Sequence, residues 1–144
     1  MDMVVQSGTS FDAFALQVRF GKDETGLHLR DMMQISSILD CFAPIAKPLY
    51  ITDVEIPSQN GKGKFAPEAA GVWHRRWDPS HQAQWLERFY RIALSKPFVE
   101  AVNYGSFSDG DGGAIAHSGL VAQDLGPKES LEVLKKLHLS VLKR

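Results

Sequence analysis

Apolar positions along the chain switch between two spacings, and the switch predicts the elements. "FDAFALQVRF", Phe11 to Phe20, is a short apolar run rich in strand formers and closed by Gly21, which reads as a buried strand. Leu29, Met32, Ile35, Ile38, Leu39 and Phe42 then recur every three or four residues, the spacing of an amphipathic helix of roughly 12–15 residues that stops before Pro44. "PLYITDVEI", Pro48 to Ile56, is a second strand. A long polar segment follows from Pro57 to about Trp77, carrying "SQNGKGK" and "GVWHRRW"; a loop of that length in a compact domain is uncommon and usually functional. Asp78 as N-cap and Pro79 as first helical residue open a helix with Trp85, Leu86, Phe89, Ile92 and Ala93 on its apolar face. "FVEAVNYGSF" is a third strand and "SDGDGGAIAHSG" a glycine-rich loop. Pro127 opens a last helix with Leu131, Leu134, Leu137 and Val141 on one face, and Lys143 and Arg144 suit its C-terminal dipole.

The predicted order is β-α-β-α-β-α. Strands separated by helices imply right-handed crossovers and a parallel sheet, whose strands are buried on both faces. Functional residues in such folds stand at the C-terminal strand ends and in the loops after them. Three places therefore matter: Gln17 to Gly21, Thr52 to Ser58, and Asn103 to Asp111. Three strands alone leave two open edges. The pattern suits part of something larger, or a chain that associates through its edges.

Composition narrows the classes of function. The 144 residues suffice for one domain, taken as 1–144. Sixteen basic and seventeen acidic residues give a formal charge of -1, without the basic excess that phosphate binding requires, so no nucleic acid is expected as partner. No apolar run approaches a membrane span, and "MDMVVQSGTS" lacks the features of a signal peptide, which leaves the compartment unassigned. Cys41 is the single cysteine and reads as a small buried hydrophobe near a helix end.

The candidate chemistry gathers at the second strand. Asp53 and Glu55 end a strand that otherwise looks buried. Side chains two apart share a face, so the two acids act on the same space or are salt-bridged there. Gln17 and Arg19 alternate inward on the first strand, where they orient the Asp53 carboxylate or a sugar hydroxyl, or form a structural ion pair. Trp73 and Trp77 flank His74, Arg75 and Arg76; their rings either stack on a sugar face or pin the loop to the next helix. "SDGDGG" lacks the later ligands of a calcium loop, "GKGK" lacks the full phosphate-loop pattern, and His74 and His81 are too far apart for a zinc pair on one helix turn. No metal or cofactor is expected.

At the three strand ends the sequence resembles glycoside hydrolase family 10, the endo-1,4-β-xylanase family, over nearly the whole chain. "FDAFALQVRF" is similar to the sixth strand of the family's eight-stranded barrel, "PLYITDVEI" to the seventh, and "EAVNYGSFSD" to the eighth. "GLVAQDLGPKESLEVLKKL" is similar to the closing segment. The resemblance implies an α/β fold, a partial (β/α)8 TIM barrel of about three C-terminal βα units. It also implies a retaining mechanism, in which two carboxyl groups about 5–5.5 Å apart act as nucleophile and general acid/base. The nucleophile position falls at Asp53, where the family has Glu, and Glu55 stands where the family has Asp. The histidine beside the nucleophile is Arg19 here, the floor tryptophan is Gly105 with Tyr104 beside it, and Asp109 matches the last acid of the eighth strand. The acid/base strand lies outside this chain.

The reading is a glycoside hydrolase-like chain, resembling a polysaccharide-degrading xylanase and not catalytic in isolation. Asp53 and Glu55 are its catalytic candidates. Gln17, Arg19, Tyr104, Asp109, Trp73 and Trp77 are its candidates for binding a xylan-like polysaccharide or oligosaccharide. Its partner is the rest of the barrel or a second copy. The alternatives are a non-catalytic carbohydrate-binding or relic module, and a small α/β interaction protein.

Overall fold

The computed structural model describes residues 8, 10–22, 27–60, 71, 73–110 and 112–141. Three parallel strands, β1 (Phe14–Arg19), β2 (Leu49–Glu55) and β3 (Val99–Tyr104), form one sheet in the order β1-β2-β3. Helix α1 (Met32–Asp40) joins the first pair, α2 (Pro79–Ser95) the second, and α3 (Glu129–Val141) follows the last strand. The α/β alternation read from the sequence is the observed order.

Local chemistry sets the boundaries. Asp31 caps α1 through the Gln34 N–H, and the Gln34 side chain returns a bond to the Asp31 N–H, a capping box that starts the helix three residues after Leu29. The helix is accordingly shorter than the apolar spacing predicts. Pro44 does not merely stop it but sits inside a 3-10 turn, Ala43–Ile45. Asp78 caps α2, accepting from the His81 N–H at 2.7 Å, with Pro79 as first helical residue. The last helix starts at Glu129 rather than Pro127. Cys41 is exposed, not buried: its thiol donates to the Ser37 carbonyl at the solvent side of the α1 terminus. Lys143 and Arg144 lie outside the described residues, as does "GKGK".

One side of the sheet carries the core. Leu49, Ile51, Val54 and Ile56 are fully buried, each adding about 1.5–3 kcal/mol of transfer free energy. Trp85, Leu86, Phe89 and Ala93 of α2 complete the cluster, with Trp85 stacked on Phe89 and edge-on to Phe20. The opposite side is open. Ala15, Gln17, Tyr50, Thr52 and Asn103 are exposed there.

These buried positions change parity, from 49 and 51 to 54 and 56, because β2 contains an irregularity. Leu16 pairs with Ile51 but Gln17 with Asp53, so Thr52 is an extra residue opposite β1. The same extra step appears opposite β3, where Ile51 pairs with Val102 and Val54 with Tyr104. Side chains in a strand alternate with period two, so an unbroken β2 would put Asp53 and Glu55 on the same side as Leu49 and Ile51. The bulge turns both acids to the open side.

Candidate functional site

Asp53 and Glu55 therefore share the open side of the sheet at its C-terminal end, and Arg19 on the neighbouring strand reaches both. Its guanidinium pairs with Asp53 Oδ2, and its Nε lies 3.4 Å from Glu55 Oε1. That Nε is buried and makes no hydrogen bond, so the second contact is an ion pair without good donor geometry. The register explains the cluster: Gln17 stands opposite Asp53 and Arg19 opposite Glu55.

The two acids differ in their surroundings. Asp53 keeps a partly open side chain, and its Oδ1 occupies the room above Gly105. A Cβ at position 105 would stand 1.8 Å from that oxygen and 2.9 Å from Glu55 Cγ. A glycine where the resembling family has tryptophan is thus tied to the position of the Asp53 carboxylate. Glu55 is 3% exposed, and its Oε2 accepts from the Ile115 N–H at 3.0 Å and the Ser118 hydroxyl at 3.1 Å.

Of the binding candidates, Gln17 and Arg19 stand at this cluster, while four others do not offer a ligand-facing group. Tyr104 points to the helix side: its hydroxyl donates to the Ser118 carbonyl and lies beside Gln82 of α2, and burial pushes its phenol pKa far up. Asp109 is locked in a buried ion pair with Lys128 at 2.6 Å and accepts from the Gly119 N–H. Trp73 and Trp77 are each 4% exposed and pack on the His81 ring, with the Arg88 guanidinium over Trp73. Their faces are covered by protein, the arrangement of the second of the two roles the sequence offers, rings that pin the loop to the next helix. His81 itself donates from Nε2 to the Trp73 carbonyl and accepts from Arg75 at Nδ1. Desolvation lowers its pKa from the ordinary 6.5.

One aromatic was overlooked in the sequence. Phe107, two residues after Gly105, is 61% exposed, beyond the C-terminal end of β3. Its signal was the glycine at 105, which ends the strand before Phe107 and removes that ring from the sheet's alternation. A cavity of 460 Å³ lies elsewhere, between β3, α2 and α3. Among the described residues no group of three His, Cys, Asp or Glu side chains is gathered to hold a metal ion. No described helix is long and apolar enough to cross a membrane.

Neither family models nor curated proteins match the sequence. Solved structures do match the fold. Xylanase 10B of Thermotoga petrophila RKU-1, solved with xylobiose, superposes on 93% of this chain with a TM-score of 0.63 at 17% identity. Native xylanase 10B of Thermotoga maritima superposes on 99% with a TM-score of 0.63 at 19% identity. A β-glucuronidase of Faecalibacterium prausnitzii superposes on 90% with a TM-score of 0.65 at 16% identity. The chain spans 38% and 41% of the two xylanases and 22% of the glucuronidase. It has the fold of part of a glycoside-hydrolase (β/α)8 barrel. Its three parallel βα units account for three of the eight.

Proposed function

We propose that this chain carries one side of a carbohydrate site in a glycoside hydrolase-like barrel and does not hydrolyse a glycosidic bond by itself. The observation that carries the reading is the Arg19–Asp53–Glu55 cluster: it occupies the open side of the sheet at the C-terminal strand ends, where barrels of this fold keep their chemistry. A carboxylate there accepts hydrogen bonds from sugar hydroxyls, and the exposed Gln17 and Asn103 side chains offer donors and acceptors beside it. Phe107 supplies an exposed apolar ring at the same end of the sheet. A xylan-type oligosaccharide is the proposed ligand, supported by the resemblance at the three strand ends and by a fold neighbour solved with xylobiose.

Turnover needs more than this cluster. Retention requires a protonated carboxyl on one side of the scissile bond and a nucleophilic carboxylate on the other, about 5–5.5 Å apart. Here both acids stand on one strand and share one arginine. Neither acid therefore faces the other across a glycosidic bond.

Titration of the chain with xylotriose, followed by amide chemical shifts, tests the binding. The expected result is weak saturable binding with shifts at Asp53, Gly105 and Ser106 that Asp53→Ala abolishes, and no reducing-sugar release from xylan above background. Shifts confined to the outer helices would refute the site. Release that disappears in Asp53→Ala or Glu55→Ala would refute the inactivity.

A further inference from the structure

We infer that the two acids have separate tasks: Glu55 is a positioning residue that clamps the glycine-rich loop, and Asp53 is the carboxylate left to meet a ligand. The division of tasks rests on the carbohydrate reading above; the clamp does not. The clamp is visible in how the Glu55 oxygens are used. Oε2 takes both the Ile115 N–H and the Ser118 hydroxyl, and Oε1 faces Arg19. A Cβ on Gly113 would come within 3.0 Å of Oε2, so loop backbone lies directly on the carboxylate. With both hydrogen bonds on Oε2, Oε1 facing Arg19 and the side chain almost without exposure, the carboxylate is turned to the loop rather than to a ligand.

The loop is held from its other side as well. The Ser118 carbonyl accepts from Gln82 Nε2 at 3.1 Å and from the Tyr104 hydroxyl. The His117 carbonyl accepts from the Ser58 N–H and hydroxyl, and from Lys128. Residues 115–118 therefore present carbonyls to the helix side and a donor pair to Glu55. Without that carboxylate the Ile115 N–H and the Ser118 hydroxyl lose a buried partner that nothing else nearby replaces. The segment also walls a pocket of 330 Å³ with Ser106, Gly113 and Ala114, so the clamp fixes one side of a cavity beside the strand ends. Among the described residues Asp53 has no comparable engagement: one oxygen pairs with Arg19, and the other stands over a glycine.

Amide hydrogen exchange without ligand tests the clamp. In Glu55→Ala the Ile115 amide should exchange at least about tenfold faster than in the parent. In Glu55→Gln, whose carboxamide keeps an acceptor oxygen in place, exchange should stay within about threefold. Unchanged Ile115 exchange in Glu55→Ala would overturn the clamp. If Glu55→Ala does not fold, Glu55→Asp takes its place: the charge remains but retreats by about 1.5 Å, so Ile115 again exchanges faster, and unchanged exchange overturns the proposal. Xylotriose titration then tests the division of tasks. Asp53→Asn should weaken binding about tenfold or more while Glu55→Gln leaves the dissociation constant within about threefold; the reverse pattern overturns it. If the parent binds no xylotriose, the carbohydrate reading fails and the division of tasks falls with it, while the exchange result still decides the clamp.

Discussion

Gly105 shows how much of the candidate site depends on a missing side chain. The Asp53 carboxylate occupies the volume where a Cβ at 105 would sit. Gly105→Ala is expected to cost about 1–3 kcal/mol through forced repacking. Denaturant melts of a double-mutant cycle check the cause: in an Asp53→Ala background the same change should cost less, since the closest clash, with the Asp53 carboxylate, is gone. A second prediction concerns His81, buried neutral between two tryptophans with its pKa lowered, first by desolvation. The unfolded chain takes up this proton near pH 6.5, whereas the folded chain resists it until lower pH. This contribution to stability is therefore full above 6.5 and is lost as pH falls through the folded value. Thermal melts should show a smaller fall in Tm from about pH 7 to about pH 5 in His81→Gln than in the parent.

At the scale of elements, the loop after β3 buries Ile115, Leu120 and Val121 and is also held by a buried ion pair. Lys128 Nζ binds Asp109, Ser58 and the His117 carbonyl, and both charged side chains are 7% exposed. Removing one partner strands the other, so Asp109→Ala should destabilise the fold by about 3–5 kcal/mol, read by chemical unfolding. Asp109 stands among the binding candidates through the resemblance at the eighth strand, and its lysine, nineteen residues further on, gives no local sign of the pair. Only the fold brings the two together. The helices and strands were largely legible, since Asp78-Pro79 and the apolar spacing of α2 act locally. The side on which Asp53 and Glu55 stand depends on a bulge, yet its trace was present in the apolar positions, odd at Leu49 and Ile51 and even at Val54 and Ile56. The tryptophans at 73 and 77 were ambiguous in sequence because stacking on sugar and packing on a helix ask for the same ring. Burial decides between them.

At the scale of the whole molecule, the helices among the described residues pack on one side of the sheet. Among the described residues β1 and β3 each have a strand neighbour on one side alone. Beyond β3 lies the 460 Å³ groove, lined mostly by apolar residues such as Leu94, Val102, Leu134 and Leu137, with Asn103 and His138 also on its wall. In a closed barrel every strand has two neighbours, so an open edge beside an apolar groove favours association. The purified chain is expected to sediment as species heavier than 16.0 kDa, increasingly so at higher concentration. A monodisperse monomer across that range would contradict the expectation.

The extra residue at Thr52 has a consequence for what changes the chain can accept. Substituting any one side chain of β2 alters one contact. Deleting Thr52 would remove the bulge and leave an unbroken ladder, Leu16 opposite Ile51 and Gln17 opposite Asp53, with both acids and the core residues on the sides they already occupy; deleting Val54 instead would shift the residues after it, putting Glu55 into the helix layer and Ile56 out to solvent. The strand end thus has one residue to spare and only at the bulge. A library of single deletions across 49–56 is expected to tolerate the loss of Thr52 and to reject the loss of Val54.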